Sequence, residues 1–104
     1  MAYLQCEFAS ELSRIRYVKI DTEGYDRQVA SSIKELLQSN RPYLRTEIYK
    51  HLPLDQRQGY WADLHQLGYR IHKFQDDEHP IGEEISAPQM GSWPHFDLFA
   101  VPEY

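Results

Sequence analysis

The sequence is poor in cysteine, in basic residues and in long apolar runs. Cys6 is the single cysteine among 104 residues, so no disulfide can form within the chain, and a reducing, cytoplasmic setting is expected. Lys and Arg total 11 against 16 Asp and Glu, and the formal net charge of -5 argues against a nucleic-acid-binding surface. No window approaches the roughly 18 apolar residues of a membrane span, and no apolar signal segment is present, so neither is predicted.

Glycine is also scarce, and its spacing excludes one common type of cofactor loop. None of the glycines follow the G-x-G-x-x-G pattern that lets a backbone approach a nucleotide cofactor. They are Gly24, Gly59, Gly68, Gly82 and Gly91. A chain of this length forms one compact domain rather than two. Its eight tyrosines and two tryptophans are expected in the core or at an interface.

Hydrophobic periodicity predicts the order strand, helix, strand, helix, strand, loop, strand. Leu4, Phe8 and Leu12 recur at helical spacing and add a helix before the first strand. The predicted parts are an N-terminal helix in 1–15, strand-helix-strand in 16–49, helix-strand in 53–74, a long loop in 75–94 and a final strand in 95–101. Such an order is typical of an α/β fold with a four-stranded mixed sheet.

The first two predicted strands flank one helix, so they are expected to run parallel through a right-handed crossover. The carboxyl ends of parallel strands meet at one edge, which is where α/β proteins bind ligands. This topology brings together Asp21, Glu23, Glu47, Tyr49 and His51. The third and last strands, joined by a non-helical loop, are expected to pair antiparallel. The first strand, apolar and at the end of the sheet, is predicted to be an open edge that can pair with another chain.

Several chemical roles are open for these acids. Asp21 and Glu23 are candidates for a general base, for ligands of a divalent cation, or for residues that charge and cap the following helix. Glu47 lies in a strand that helices should cover, so it needs a partner, either Arg45, Lys19 or the group beside Asp21.

Other reactive residue types give weaker signals. The histidines lack the spacing of a zinc site, so no metal ligands are predicted, and only His51 stands at the favoured edge. Cys6 has no basic neighbour to activate it and is predicted to pack in the N-terminal helix. Trp93, in the long loop, is a candidate for lining an acceptor pocket.

Four stretches resemble one known family, the FkbM family of S-adenosylmethionine-dependent methyltransferases. Residues 17–26, Tyr-Val-Lys-Ile-Asp-Thr-Glu-Gly-Tyr-Asp, resemble its K-I-D-x-E-G-x-E/D signature. Residues 40–48 resemble its R-P-x-L-x-x-E-I strand, residues 64–69 its L-x-x-L-G-Y segment, and residues 96–102 its closing strand, although the family often has Asn near Asp97. The stretch from Ala9 to Arg14 resembles its preceding helix.

The resemblance implies the C-terminal half of a class I methyltransferase domain, which is a Rossmann-like fold. In family labels the strands would be ordered 4-5-7-6, with the last strand antiparallel. It implies S-adenosylmethionine as cofactor, contacted by Asp21 and Thr22, although the glycine-rich cofactor loop is absent. Asp21, Glu23 and Glu47 would be catalytic, and an acceptor hydroxyl on a sugar or small metabolite would contact Glu23, Tyr49, His51 and Trp93.

Three hypotheses about function follow. The first is an acceptor-side part of an O-methyltransferase, completed by an N-terminal half-domain or by a second copy through the first-strand edge. The second is a non-catalytic half-domain that binds or dimerises. The third and weakest is a metal-dependent hydrolase that uses Asp21, Glu23 and Glu47.

Overall fold

Strands and helices alternate along most of the chain. The computed structural model describes residues 4–8 and 15–103. The strands are β1 (Leu4–Phe8), β2 (Ile15–Ile20), β3 (Tyr43–Ile48), β4 (Tyr69–Phe74), β5 (Ile81–Glu84) and β6 (Phe96–Pro102). The helices are α1 (Asp26–Ser32), α2 (Lys34–Asn40), α3 (Leu54–Gln66) and a 3₁₀ helix (Ala87–Gly91). Within the described ranges, no helix is long and apolar enough to cross a membrane.

The strands form one mixed sheet in the order β1-β2-β3-β6-β4-β5. β2 and β3 are parallel, whereas β6 runs antiparallel to both β3 and β4. The four strands predicted from the sequence are therefore neighbours in the predicted order, and the last is antiparallel. The chain is an α/β protein, and the carboxyl ends of β2 and β3 lie side by side.

The helices pack on one face of this sheet. Leu44, Thr46 and Ile48 alternate along β3 as fully buried residues. Asp26 of α1 and Tyr60 of α3 both hydrogen-bond to the Thr46 hydroxyl, so both helices lie on the Thr46 face. The opposite face of β3 carries Tyr43, Arg45 and Glu47, which are less buried. Glu47 therefore points away from the helices, which the sequence analysis did not anticipate.

The predicted N-terminal helix is wrong for residues 4–8. These residues form β1, which pairs antiparallel with β2, Cys6 lying opposite Val18. The predicted packing of Cys6 in a helix is corrected accordingly. Because β1 occupies the outer side of β2, the first predicted strand is an inner strand and not the open edge of the sheet. The rest of the predicted helix, including residues 9–14, lies outside the described residues.

The predicted long loop contains the strand β5. With β1 and β5 the sheet has six strands, so the expectation of a four-stranded sheet is also wrong. β5 pairs antiparallel with β4 across a tight connection. Backbone hydrogen bonds from Gln75 to Pro80 and from Asp76 to His79, each 3.2 Å, close this hairpin. The sequence offered little signal because β5 is short, and Gly82 weakens the strand pattern.

The helix predicted between the first two strands is divided into α1 and α2 at Ile33. The Ser32 hydroxyl donates to the Val29 carbonyl at 2.6 Å, a local bond that competes with regular helical hydrogen bonding. Leu37, on α2, is fully buried in the core, so the break does not detach α2 from the sheet.

Candidate functional site

A buried carboxylate, Asp26, joins the ends of the two parallel strands. Asp26 is 2% exposed and accepts four hydrogen bonds, one at 3.0 Å from the Thr22 backbone N–H and one from the Thr22 hydroxyl. The other two come from the Thr46 hydroxyl at 2.7 Å and the Glu47 backbone N–H at 2.6 Å. Burial raises the pKa of Asp26, and these donors oppose the rise. The aspartate thereby holds the turn after β2 against the end of β3.

The turn after β2 contains two consecutive residues with positive φ. Glu23 has a φ of 53° and Gly24 a φ of 111°, which glycine adopts without strain. This conformation directs the Glu23 backbone N–H at Glu47 Oε1, at 3.0 Å. The Glu23 side chain is exposed. Glu23 thus holds the site through its backbone, while its carboxylate role stays a prediction.

Asp21 and Glu47 form a carboxyl pair at the end of the parallel strands. Ile20 pairs with Thr46, so the next residues of the two strands are neighbours on the open face. The Asp21 and Glu47 carboxyl groups interact closely, and this interaction raises the pKa of Glu47. The Glu47 side chain is only 11% exposed.

The environment of Glu47 raises its pKa to about 7. Burial is the largest cause, followed by the hydrogen bond to Asp21 and by the negative charges of Asp21 and Asp26. The Glu23 backbone N–H acts in the opposite direction because it stabilises the ionised carboxylate. A carboxyl group that titrates near neutral pH is suited to accept and release a proton under physiological conditions.

His95 completes the cluster, and the sequence analysis missed it. Its Nε2 lies 3.3 Å from Glu47 Oε2, and its Nδ1 accepts the Lys50 backbone N–H at 3.2 Å. Phe96, the next residue, pairs with Ile48 at the end of β3, which brings His95 to the predicted edge. The signal in the sequence was the antiparallel last strand, whose start must lie beside the end of β3.

Tyr49 and His51 stand beside this cluster as predicted from topology. The Tyr49 ring makes edge contacts with His51 and His95, with ring centroids 5.4 and 5.8 Å apart. Tyr49 also borders the turn, because a Cβ added to Gly24 would lie 3.7 Å from Tyr49 Cδ2. His51 is exposed, so it can reach a ligand at this edge.

Trp93 and Thr22 have other partners than the predicted ones. The Trp93 ring packs on Phe96 with centroids 5.2 Å apart, and Lys73 Nζ lies 5.1 Å from its centroid. Within residues 15–103, no ring contact joins Trp93 to Tyr49, His51 or His95. Thr22 is 3% exposed, and its hydroxyl donates to Asp26 and accepts the Tyr25 backbone N–H. It stays a prediction that Thr22 contacts a cofactor and that Trp93 contacts an acceptor.

Arg57 binds the two loops that carry Tyr49 and His95, and it was not among the residues predicted from the sequence. The residue is 5% exposed, and its guanidinium donates to backbone carbonyls on both sides. The strongest of these bonds, 2.7 to 3.0 Å, are accepted by Leu52, Met90, Trp93 and Pro94, and longer ones by Tyr49 and Lys50. Burial lowers the pKa of Arg57.

Two clefts flank the sheet on opposite faces. One of about 270 Å³ lies between α1, α2 and α3, lined by Arg27, Lys34 and Asp63 among others. The second, of about 260 Å³, lies on the open face and is lined by Tyr17, Arg45, Phe74, Asp77, Pro80 and Phe99. Because Arg45 and Glu47 are two residues apart on β3, the second cleft shares its face with the carboxyl pair.

Comparison with known proteins identified no similar protein. No protein-family model, no curated protein and no solved structure matches the chain. The family resemblance therefore depends on the four sequence stretches, and the site has to be judged on its own geometry.

That geometry fits proton transfer better than metal binding. No group of three or more His, Cys, Asp and Glu is placed to hold a metal ion in the part of the chain that the structure describes. Glu47, whose pKa is raised to about 7, instead has the Glu23 backbone N–H on one oxygen and His95 within 3.3 Å of the other. A hydroxyl placed beside this carboxyl group would find a base that titrates near neutral pH.

S-adenosylmethionine, the cofactor that the resemblance implies, would need more than the described residues supply. A cofactor cradle needs a backbone that a ligand can approach closely, usually at glycine. Gly24 is the glycine at this edge, and its Cβ position meets Tyr49 at ordinary contact distance, so it forms a turn and not a cradle. The residues at this edge therefore do not by themselves fit S-adenosylmethionine, and Asp21 is the one predicted cofactor contact whose side chain remains at the surface of the site.

Proposed function

We propose that this chain is the acceptor-side part of an FkbM-like O-methyltransferase, which activates a hydroxyl group of a sugar or small metabolite. The observation that carries the proposal is the Asp21–Glu47 carboxyl pair at the carboxyl ends of β2 and β3, with a Glu47 pKa of about 7. The strand order β2-β3-β6-β4, with β6 antiparallel, supports the half-domain interpretation. A cytoplasmic location belongs to the same proposal, since the chain has one cysteine.

The chemistry that the pair supplies is removal of a proton. S-adenosylmethionine would supply the methyl group and leave as S-adenosylhomocysteine, and the methylated hydroxyl would release one proton. The acceptor oxygen would lie against the Asp21–Glu47 pair, and its proton would pass to the ionised carboxylate. Tyr49 and His51 would border the acceptor, and the aromatic cleft beside Arg45 would take its less polar part. The cofactor would be held by an N-terminal half-domain or by a partner chain.

The test is transfer of a labelled methyl group to a panel of sugars and hydroxylated metabolites. The protein is assayed with S-adenosylmethionine, and Glu47→Gln is compared with Glu84→Gln, an exposed control on β5. General-base assistance contributes about 10²–10⁴-fold, so Glu47→Gln should lower the rate by at least about 100-fold, while the control keeps it. Full activity of folded Glu47→Gln would overturn the proposed role of Glu47, and no transfer to any acceptor by the chain alone would favour the non-catalytic alternative.

The non-catalytic alternative is supported by the lack of a glycine-rich loop in the sequence. It predicts that the folded chain binds a hydroxylated ligand, by calorimetry, without transferring a methyl group. Dimerisation through the first predicted strand is no longer the expected route, because β1 covers β2. A light-scattering mass above that of the 12.4 kDa monomer would show that another surface associates.

A further inference from the structure

We propose that His95 is a positioning residue, which holds the Glu47 carboxylate in place by donating the Nε2–H of a neutral imidazole to Oε2. This inference rests on the proposed function, since it concerns the base of that reaction. Two donors then grip Glu47 from opposite sides, the Glu23 backbone N–H on Oε1 at 3.0 Å and His95 on Oε2 at 3.3 Å.

The tautomer of His95 follows from its second hydrogen bond. The Lys50 backbone N–H can only donate, and it points at His95 Nδ1 at 3.2 Å. Nδ1 must therefore be the acceptor, which places the proton of the neutral ring on Nε2, facing Glu47. In the neutral ring, the bond from Lys50 thus selects the tautomer that presents its Nε2–H to Glu47.

The place of His95 in the fold suits a site role more than a packing role. Its side chain is 43% exposed at the start of β6, whereas the residues that fill the core near it, such as Phe96, are buried. Among the described residues, His95 contacts the Lys50 backbone, the Glu47 carboxylate and the Tyr49 ring. Removal of an exposed side chain costs little folding free energy, so variants at this position should fold.

The charges around Glu47 make this donor important. Asp97 pairs with Glu47 across the sheet but is bound by Arg45 at 2.9 Å. The titratable groups around Glu47 are Asp21 at the end of β2, Asp26 of α1, Asp97 of β6 and His95. Three of these four are acids, so a neutral N–H donor favours the ionised Glu47 that a base requires.

The experiment follows the titration of Glu47 directly by ¹³C NMR of its side-chain carboxyl, in protein labelled at glutamate. Glu47→Gln assigns the signal. His95→Ala removes the donor, His95→Gln keeps an amide N–H near the position of Nε2, and His79→Ala is the control, a loop histidine that is 72% exposed. Loss of one such hydrogen bond should raise the Glu47 midpoint by about 0.5 to 1 pH unit in His95→Ala.

The expected pattern is a raised midpoint in His95→Ala, a midpoint close to that of the unaltered protein in His95→Gln, and no change in His79→Ala. An unchanged midpoint in His95→Ala would overturn the proposal, and so would an equal shift in His95→Gln. Where methyl transfer is measurable, the acidic limb of its pH profile should move by the same amount. The NMR result needs no turnover, so failure of the proposed reaction and failure of this role are distinguished.

Discussion

Glu47 should make the protein more stable in mild acid than at neutral pH. Its pKa is about 7 in the folded chain against an ordinary value of 4.5, so the folded state binds the proton more tightly than the unfolded state. The contribution of Glu47 to the free energy of unfolding therefore falls as pH rises from about 4.5 through about 7, and is level outside this window. The difference of about two and a half pH units corresponds to about 3 kcal/mol at 1.36 kcal/mol per unit.

The assay is urea denaturation of the protein and of Glu47→Gln between pH 4.5 and 8. Gln cannot ionise, so the variant should lack this pH dependence, and the gap between the two proteins should change in its favour by about 3 kcal/mol across the range. Glu84→Gln, an exposed β5 residue, serves as the control because it should change neither level nor slope. The reasoning is refuted if the two curves stay parallel, or if the unaltered protein gains stability relative to Glu47→Gln as pH rises.

Two further variants test how the loops and the turn are held. Arg57→Met leaves buried carbonyls of both loops, including those of Met90 and Trp93, without their donor, and should cost about 3–5 kcal/mol in urea denaturation. Arg70→Met, at an exposed position, should cost under about 0.5 kcal/mol, and equal losses would contradict the role of Arg57. Gly24→Ala should cost about 1–3 kcal/mol because φ is 111°, although the added Cβ meets only Tyr49 at 3.7 Å. Thermal melting that stays within a degree of the unaltered protein would argue against this strain.

Local pattern was sufficient for the inner strands. β2 and β3 have alternating or continuous apolar residues, and the helix between them fixes their parallel pairing through the handedness of the crossover. The parallel pairing alone predicts that Asp21 and Glu47 lie at the same edge of the sheet. Local pattern also predicted the antiparallel β6, because a loop without an intervening helix joins it to β4.

Local pattern failed where pairing decides the conformation. Leu4, Phe8 and Leu12 have helical spacing, yet residues 4–8 are a strand because β2 offers a free edge along their whole length. Short segments are ambiguous in this way, and tertiary context overrides their propensity. The left-handed residue after α2 is Arg41, whose guanidinium donates to carbonyls at the end of α3, including that of Gly68 at 2.7 Å.

The site residues that were missed depend on distances that the sequence does not encode. His95 reaches Glu47 only because β6 pairs with β3 in a register that starts at Phe96 opposite Ile48. Arg57 is a helical residue whose partners are backbone carbonyls, and any residue type can supply those. Residue type and spacing therefore indicate acids at a strand end, but not the donors that orient them.

The acids of the turn have different environments, and this difference explains how one segment can be both rigid and reactive. Asp26 is buried and accepts the Glu47 backbone N–H, while the Glu47 side chain accepts the Glu23 backbone N–H. The segment after β2 thus supplies the Asp26 carboxylate to the backbone of β3, and β3 supplies the Glu47 carboxylate to the backbone of that segment. The two cannot separate without breaking both bonds. With the backbone held in this way, Glu47 can gain or lose its proton while Asp26 keeps the turn in place.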